Sequence, residues 1–300
     1  MDRLSTVVGD RRRLMNIAYR LLGSVTDAED AVQETFTRWC ALAPEQQESI
    51  ESPNAWLSTV VSRVCLDQLG SARAKRERYV GPWLPEPVPD LTEWSCGPDT
   101  RTTDPAERIT LDESVDMAFL IVLEAMTPPE RVTFLLHDVF RFPFAEIAEM
   151  VGRTPAACRQ LAYSARRRIP ERPAEVMTAR RADLIRGFRE AWEAKDVSAL
   201  VRLLDPAAVT VADGGGVVSA AWYPIEGRDE VARYFIELAS LAGELTLLER
   251  TVNGQPGLAA IHDRTIAAVY AFEIADDRIR RIWAIRNPEK LRLWTSCESP

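Results

Sequence analysis

The sequence predicts a multidomain chain: two all-α domains in series, then an α+β domain. Three observations predict it. Apolar residues recur at helical spacing up to residue 79 and again from 106 to 170. A proline-rich stretch, 80–105, parts those two blocks. Beyond residue 174, helix gives way to β-branched runs punctuated by Asp and Gly. The expected division is therefore 1–79, a linker over 80–105, 106–170 and 174–300. Length alone implies about two domains, and the pattern divides the helical part further.

The first helix is expected from Leu4 to Leu22, with Val7, Leu14, Ala18 and Leu21 on one face. Gly23 closes it. Thr26 opens the next, with Glu29 three residues on in the spacing of a capping box. Ala28, Ala31, Val32, Phe36 and Trp39 then mark a core stripe. Asp27, Asp30, Gln33 and Glu34 lie on the opposite side, an acidic face that spacing alone reads as solvated. Ser52 and Pro53 start a third helix as N-cap and first helical residue. It turns Trp56, Leu57, Val60, Val61 and Val64 inward and runs toward the basic stretch Arg73, Lys75, Arg76.

Pro82, Pro85, Pro87, Pro89 and Pro98 exclude a long helix or a central strand from the linker. Trp83, Leu84 and Trp94 are too apolar for a solvated spacer, so residues 83–87 are expected to dock on a surface.

In the second helical block, Thr127-Pro-Pro-Glu130 combines an N-cap, a first-turn proline and a capping-box glutamate. Pro143 opens a short helix with Phe144, Ile147 and Ala148 inward, and Gly152 breaks it. Thr154 and Pro155 then begin another. Helix, tight glycine turn, helix is the helix-turn-helix layout. In the second of the pair, Ala157, Leu161, Ala165 and Ile169 form the expected core stripe. Arg153, Ala156, Arg159, Gln160 and Tyr163 lie away from it, where Arg suits guanine and Gln suits adenine at about 1–3 kcal/mol per good pair. Arg166, Arg167 and Arg168 suit phosphate.

The final third is expected to hold a helix over 176–194, a strand over 207–212 ending at Asp213-Gly214-Gly215-Gly216, and a helix over 229–241. Strands over 245–252, 258–262, 265–274 and 278–285 follow, with Asp276-Asp277 as a turn between the last two.

Composition sets limits. The net charge of −8 argues against simple electrostatic coating of DNA. Its distribution says more. Residues 1–80 carry 11 basic and 11 acidic side chains, while 153–168 hold five Arg and no acid. Residues 63–78 hold four Arg and one Lys against Asp67 and Glu77. Basic charge confined to two helices is a nucleic-acid signal, although a solvated face produces the same pattern. No apolar run reaches the ~20 residues of a membrane span, and no secretory signal is read at the N-terminus. Cys40, Cys65, Cys96, Cys158 and Cys297 are dispersed, so neither a zinc site nor a disulfide framework is supported, and a cytoplasmic location is expected.

Two motifs carry a resemblance. Asp27-Ala-Glu-Asp-Ala-Val-Gln-Glu-Thr-Phe36 resembles the region-2 signature of extracytoplasmic-function (ECF) sigma factors. Gly152-Arg-Thr-Pro-Ala-Ala-Cys-Arg-Gln-Leu-Ala162 resembles their region-4 recognition helix. Tyr79-Val-Gly-Pro-Trp-Leu-Pro-Glu-Pro87, Asp213 to Gly216 and Asn287-Pro-Glu-Lys-Leu291 resemble the linker and C-terminal motifs of a subgroup with a fused SnoaL-like (NTF2-like) domain, a conical barrel. The sequence departs from that pattern at Val217, where Lys commonly follows the glycines, and at Ser164, where Arg is frequent.

The resemblance implies a sigma factor, not an enzyme, partnered by core RNA polymerase and promoter DNA. Asp27, Glu29, Asp30, Gln33 and Glu34 would face polymerase. Asn54, Trp56, Arg63, Asp67, Arg73 and Arg76 of region 2, and Arg153, Thr154, Pro155, Ala156, Arg159, Gln160, Tyr163, Arg166 and Arg167 of region 4, would face DNA. Trp56 reads equally as a core residue. Trp83, Leu84, Pro85, Glu86, Pro87, Asp213, Gly214, Gly215, Gly216, Asn287, Pro288, Glu289, Lys290 and Leu291 would couple the C-terminal domain to the sigma regions. No separate anti-sigma factor, no membrane, no cofactor and no metal is expected. A small-molecule ligand in the C-terminal domain remains open, as does acid–base chemistry drawn from Asp213, His262, Trp222, Tyr223 or Tyr270, with Asp213 read first as a turn residue. The alternatives are a helix-turn-helix regulator without polymerase, and one fused to a ligand-binding or catalytic SnoaL-like module.

Overall fold

The structure, a computed structural model, describes residues 11–76, 79–89, 116–169, 178–241 and 245–295. The expectations placed on Val7, Trp94, Cys96, Pro98 and Cys297 fall outside those residues. The chain forms two compact units. One holds residues 11–76 and 119–169; the other holds 79–89, 116–118 and the described residues from 178 onward.

In the first unit, α1 (Arg11–Leu22), α2 (Val25–Cys40) and α4 (Pro53–Arg76) pack on one another, with the short α3 (Pro44–Ser49) between the last two. Leu14, Ile17, Ala18 and Leu21 meet Ala28, Ala31, Val32, Leu57 and Val61 in their core. The start of α2 differs from expectation. Gly23 takes a left-handed conformation (φ 67°) that ends α1 in a single residue. Ser24, extended at φ −132°, is thereby the cap, and its Oγ accepts from Asp27 N at 3.2 Å. Thr26 lies inside the first turn instead of capping it.

The second helical block comprises α5 (Met117–Glu124), α6 (Pro128–Phe134), a π-helical turn (Leu135–Val139), α7 (Phe144–Val151) and α8 (Pro155–Arg166). Gly152 (φ 65°) reverses the chain after α7. Thr154 Oγ1 accepts from Ala157 N at 3.2 Å to start α8. The buried stripe of α8 is centred on Cys158, Ala162 and Ala165, whereas Ala157, Leu161 and Ile169 are half-buried. It is shifted from the expected stripe because two small side chains, Cys158 and Ala162, allow α8 to settle against α6 and α7.

A buried carboxylate fixes that helix. Glu130 accepts from Thr127 N (2.9 Å), Thr127 Oγ1 (2.8 Å) and Ser164 Oγ (2.6 Å), with Arg168 at 3.8 Å. Ser164 thus turns inward as a lock between α8 and α6. Four arginines join the two helical blocks within this unit. Arg131 Nη1 donates to Leu21 O (2.8 Å), and Arg63 Nη2 donates to Glu149 O (2.8 Å). The guanidinium groups of Arg13 and Arg20 lie 5.5 and 5.8 Å from the ring centroids of Phe142 and Phe140.

The second unit is α+β. Helices α9 (Thr178–Glu193), α10 (Val197–Leu203) and α11 (Arg228–Leu241) cover a six-stranded sheet of order β2-β1-β6-β5-β4-β3. The strands are β1 (Leu204–Asp213), β2 (Ile225–Glu226), β3 (Thr246–Val252), β4 (Gln255–His262), β5 (Thr265–Ala275) and β6 (Arg278–Ile285). β1 runs parallel to β6 and every other pair is antiparallel. A 3₁₀ turn (Pro288–Leu291) and α12 (Arg292–Thr295) end it. Helices packed on a mostly antiparallel sheet make the α+β domain that the sequence predicts. Asp276 and Asp277 turn with φ of 51° and 58°, the left-handed pair that a two-residue hairpin needs. The interior is aromatic: Phe188, Trp192, Phe235, Tyr270 and Phe272 interlock edge to face, and Trp192 Nε1 donates to Phe235 O at 2.7 Å.

Burial alone would raise the Glu130 pKa. The hydrogen bonds from Ser164 and Thr127 and the charge of Arg168 outweigh it and hold the carboxyl below its ordinary value. A depressed carboxyl stabilises the fold above its unfolded pKa, and that contribution is lost as pH falls through the folded value. Glu130→Ala should therefore cost about 1–3 kcal/mol at neutral pH. In urea titrations, the gap from wild type should close on acidification.

Candidate functional site

The most elaborate polar site among the described residues lies in the second unit, where the segment 79–89 is strapped across the C-terminal sheet. Asp213, the last residue of β1, is wholly buried. Its Oδ1 accepts from the Tyr79 hydroxyl (2.6 Å) and Gly215 N (3.0 Å). Its Oδ2 accepts from Leu84 N (2.9 Å) and Lys290 Nζ (2.7 Å). Four donors on one carboxylate, one of them cationic, make the burial of this charge tolerable. Lys290 Nζ also donates to Leu84 O and sits 4.1 Å from the Trp83 ring centroid and 5.0 Å from that of Tyr79. Burial, followed by the Asp213 carboxylate, pushes the Tyr79 phenol up.

Asn287 completes the arrangement. Its Nδ2 donates to Tyr79 Oη (2.8 Å), and its Oδ1 accepts from Glu289 N (3.0 Å) to cap the 3₁₀ turn that presents Lys290. The backbone of Asp213 accepts from Arg286 N (2.7 Å) and Asn287 N (3.0 Å), which fixes the two motifs side by side. Further along the strap, Trp294 Nε1 donates to Pro87 O (2.9 Å). Val88 N donates to Asn253 Oδ1 (3.1 Å), and Asn253 N donates back to Val88 O (2.9 Å).

The three glycines are needed for close approach. A Cβ on Gly214 would come within 2.3 Å of Val218 O; on Gly215, within 2.5 Å of Asn287 Nδ2; on Gly216, within 2.8 Å of Val80 Cβ. Gly215 and Gly216 also hold left-handed backbone, at φ 64° and 73°. Asp213 is accordingly the centre of the site as well as the turn residue read from the sequence, since its Oδ1 also accepts from Gly215 N two residues on. Leu84, Pro85, Glu86, Pro87 and Leu291 are buried; Trp83 is half-buried; Pro288 and Glu289 are exposed. Sequence reasoning gave no site role to Asn253 or Trp294. The Asn253-Gly254 hairpin signal was the available pointer to the first.

The residues considered for acid–base work do not converge. His262 is exposed at the β4–β5 turn beside Asp263 (3.4 Å), and Trp222 and Tyr223 are exposed. Tyr270 is buried in the aromatic core, where desolvation raises its pKa. A cleft of about 200 Å³ lined by Val80, Pro82, Gly216, Val217 and Trp222 lies beside the glycine loop. It is smaller than the roughly 300–1,000 Å³ of ordinary ligand pockets.

In the first unit, Asp27, Glu29, Asp30, Gln33 and Glu34 are all exposed on α2. Glu34 pairs with Arg38 Nε (2.9 Å) and Glu29 with Arg11 (3.9 Å). Arg153, Thr154, Pro155, Ala156, Arg159, Gln160, Tyr163, Arg166 and Arg167 are all exposed at the start and along one side of α8. On α4, Arg63 and Asp67 are exposed and Asn54 is half-buried. Trp56 is half-buried with its ring edge-on to Trp39 at 5.2 Å. Arg73 and Arg76 lie on the α4 backbone, and their side chains fall outside the described residues.

A helical domain with this acidic helix, followed by a helix-turn-helix, is the arrangement expected of a sigma-70-type factor. Family models for sigma-70 region 2 and sigma-70 region 4 match residues 8–75 and 117–169. The chain is 36% identical over 297 residues to the ECF RNA polymerase sigma factor SigJ of Mycobacterium tuberculosis, covering 93% of this chain and 90% of that protein. It is 29% identical over 306 residues to SigG of the same organism, covering 91% and 78%. The crystal structure of Mycobacterium tuberculosis SigJ superposes with a TM-score of 0.73 at 34% identity, covering 96% of this chain and 98% of that one. The chain belongs to the ECF family of RNA polymerase sigma factors. Sigma factors are not enzymes; the sigma domains imply core RNA polymerase and promoter DNA as partners. Among the described residues no helix is long and apolar enough to cross a membrane.

Removing one member of a buried ion pair strands the other, typically at about 3–5 kcal/mol. Lys290→Met should therefore release the strap. The expected readouts are a red shift of Trp83 fluorescence and new proteolysis between residues 79 and 88. Gly216→Ala should produce the same signature through its clash with Val80.

Proposed function

We propose that this sigma factor is modulated by its own C-terminal domain, which acts by gripping the segment that links region 2 to region 4. One observation carries the reading: the buried Asp213–Lys290 pair holds Tyr79 and Leu84, residues that immediately follow region 2 in the chain. Tension or slack in that link bears on how far the two sigma regions can part. Arg63 supports the need for parting. It is a DNA-facing candidate whose guanidinium donates to Glu149 O, so its use on DNA requires that bond to open. Two states with different contacts are what such control needs. The division 1–79, 80–105, 106–170 and 174–300 is part of this reading, as is control without a separate anti-sigma factor.

The acidic face of α2 docks on core polymerase, and the exposed side of α8 reads the upstream promoter element. Asn54, Trp56, Arg63, Asp67, Arg73 and Arg76 of α4 serve the downstream element. The five carboxylate and amide side chains of α2 suit a basic partner surface and speed its encounter.

Promoter-specific transcription with core polymerase tests the whole. Deleting residues 176–300, or substituting Lys290→Met in the full chain, should change transcript yield severalfold at unchanged start sites; equal yields from all three proteins overturn modulation. Reversing Asp27, Asp30 and Glu34 to Lys should weaken core binding at least tenfold in a pull-down titration, while promoter choice by the residual holoenzyme stays the same.

A further inference from the structure

Region 4 carries a carboxylate that faces its own DNA-reading helix. The π-helical turn Leu135–Val139 places Asp138 against Arg166, the last residue of α8. Arg166 Nε donates to Oδ1 (2.9 Å) and Nη2 to Oδ2 (3.1 Å), with Nη2 also 2.8 Å from Oδ1. This is a bidentate pair that occupies one full edge of the guanidinium. Its neighbours differ. Arg168 is turned toward Ala125 O (3.3 Å) and Glu130 (3.8 Å), on the side of α5 and α6. Arg153, Arg159 and Arg167 are exposed, and none of them has an ion pair among the described residues. Helix α8 itself contains no acid. Among the exposed arginines of this face, Arg166 is thus the one with a dedicated counter-ion.

We propose that Asp138 is a specificity-determining residue for DNA: it holds Arg166 as an internal ion pair that a phosphate must displace. The inference rests on the reading of the exposed side of α8 as the duplex-binding face. Non-specific affinity comes almost entirely from phosphate neutralisation, whereas base contacts supply discrimination. A carboxylate that withholds one cation lowers phosphate-driven binding wherever base contacts do not hold the helix in place. Base contacts from Arg153, Arg159 and Gln160 are untouched by it. When those contacts seat the helix, the phosphate brought alongside exchanges with Asp138. On a sequence that offers no base contacts, the exchange has no such support, and Arg166 stays with Asp138. The net effect is a larger ratio of specific to non-specific binding.

The test is fluorescence anisotropy of the full chain with a short duplex of arbitrary sequence, across a salt series. Asp138→Asn keeps the shape and removes the charge. It should bind about fivefold more tightly near 0.1 M salt, and the slope of log K against log salt should steepen by about 0.9, the value of one added phosphate contact. The gain should vanish when Asp138→Asn is placed on an Arg166→Ala background. Unchanged or weaker binding by Asp138→Asn overturns the proposal. So does a gain that persists without Arg166, since it would reflect net charge alone. If neither Arg159→Ala nor Arg166→Ala weakens duplex binding, the reading of the α8 face fails and the proposal falls with it. If both weaken it while Asp138→Asn changes nothing, the proposal alone fails.

Discussion

The buried contact between the Asp213 carboxylate and the Lys290 ammonium is the constraint on which the C-terminal half depends. Two opposite charges taken out of water recover the cost of desolvation only when their remaining hydrogen-bonding capacity is filled. Here the filling groups come from three stretches far apart in sequence: Tyr79 and Leu84, Gly215, and the 287–290 turn. Each stretch is therefore obliged to be where it is. The glycines follow from the same demand, since the loop after β1 must pass within van der Waals distance of Asn287 and Val80. The pair ties the strap to the sheet more specifically than apolar contact could, because a slipped strap would take the Tyr79 and Leu84 donors from a buried carboxylate and the Leu84 acceptor from a buried ammonium.

The first unit answers a similar problem with arginine. Arg131 reaches the free carbonyl of Leu21 near the C-terminal end of α1, and Arg63 reaches Glu149 O near the end of α7. Both are helix-terminal carbonyls that lack an intrahelical donor. Joining helices through backbone acceptors gives a contact that depends on how the helices lie and little on side-chain identity. Glu130 then sets α8 on α6 through Ser164, which decides which residues of α8 face outward. Position 164 is thus part of the helix's seating, and the exposed side retains Arg153, Arg159, Gln160 and Tyr163.

Much of this was legible from sequence, and the parts that were not share a cause. Gly152 with Thr154 and Pro155, Ser52 with Pro53, and the Asp276-Asp277 turn are local signals, and each helix or hairpin appears where they place it. The cap of α2 was displaced from Thr26 to Ser24 because Gly23 alone suffices to end α1, something the capping-box spacing does not weigh. The stripe of α8 was misjudged because Cys158 and Ala162 carry little hydrophobic signal, yet they allow the closest approach. The motifs around 83–87, 213–216 and 287–291 could be singled out, but their convergence could not. Asp213 looks like no more than a turn residue until Lys290, 77 positions away, is brought to it alongside the parallel pairing of β1 with β6. Long-range pairing is invisible to any window that reads neighbours.

The same geometry closes the interior of the C-terminal domain. In this chain Phe188, Trp192, Phe235, Tyr270 and Phe272 fill the interior edge to face. The one fully buried carboxylate among the described residues, Asp213, already has four donors and lies at the end of β1, where it holds another part of the chain. A carboxylate so saturated is an anchor, and two of its four donors, the Tyr79 hydroxyl and Leu84 N, belong to the strap. The domain thus holds residues 79–89, a segment of its own chain that follows region 2.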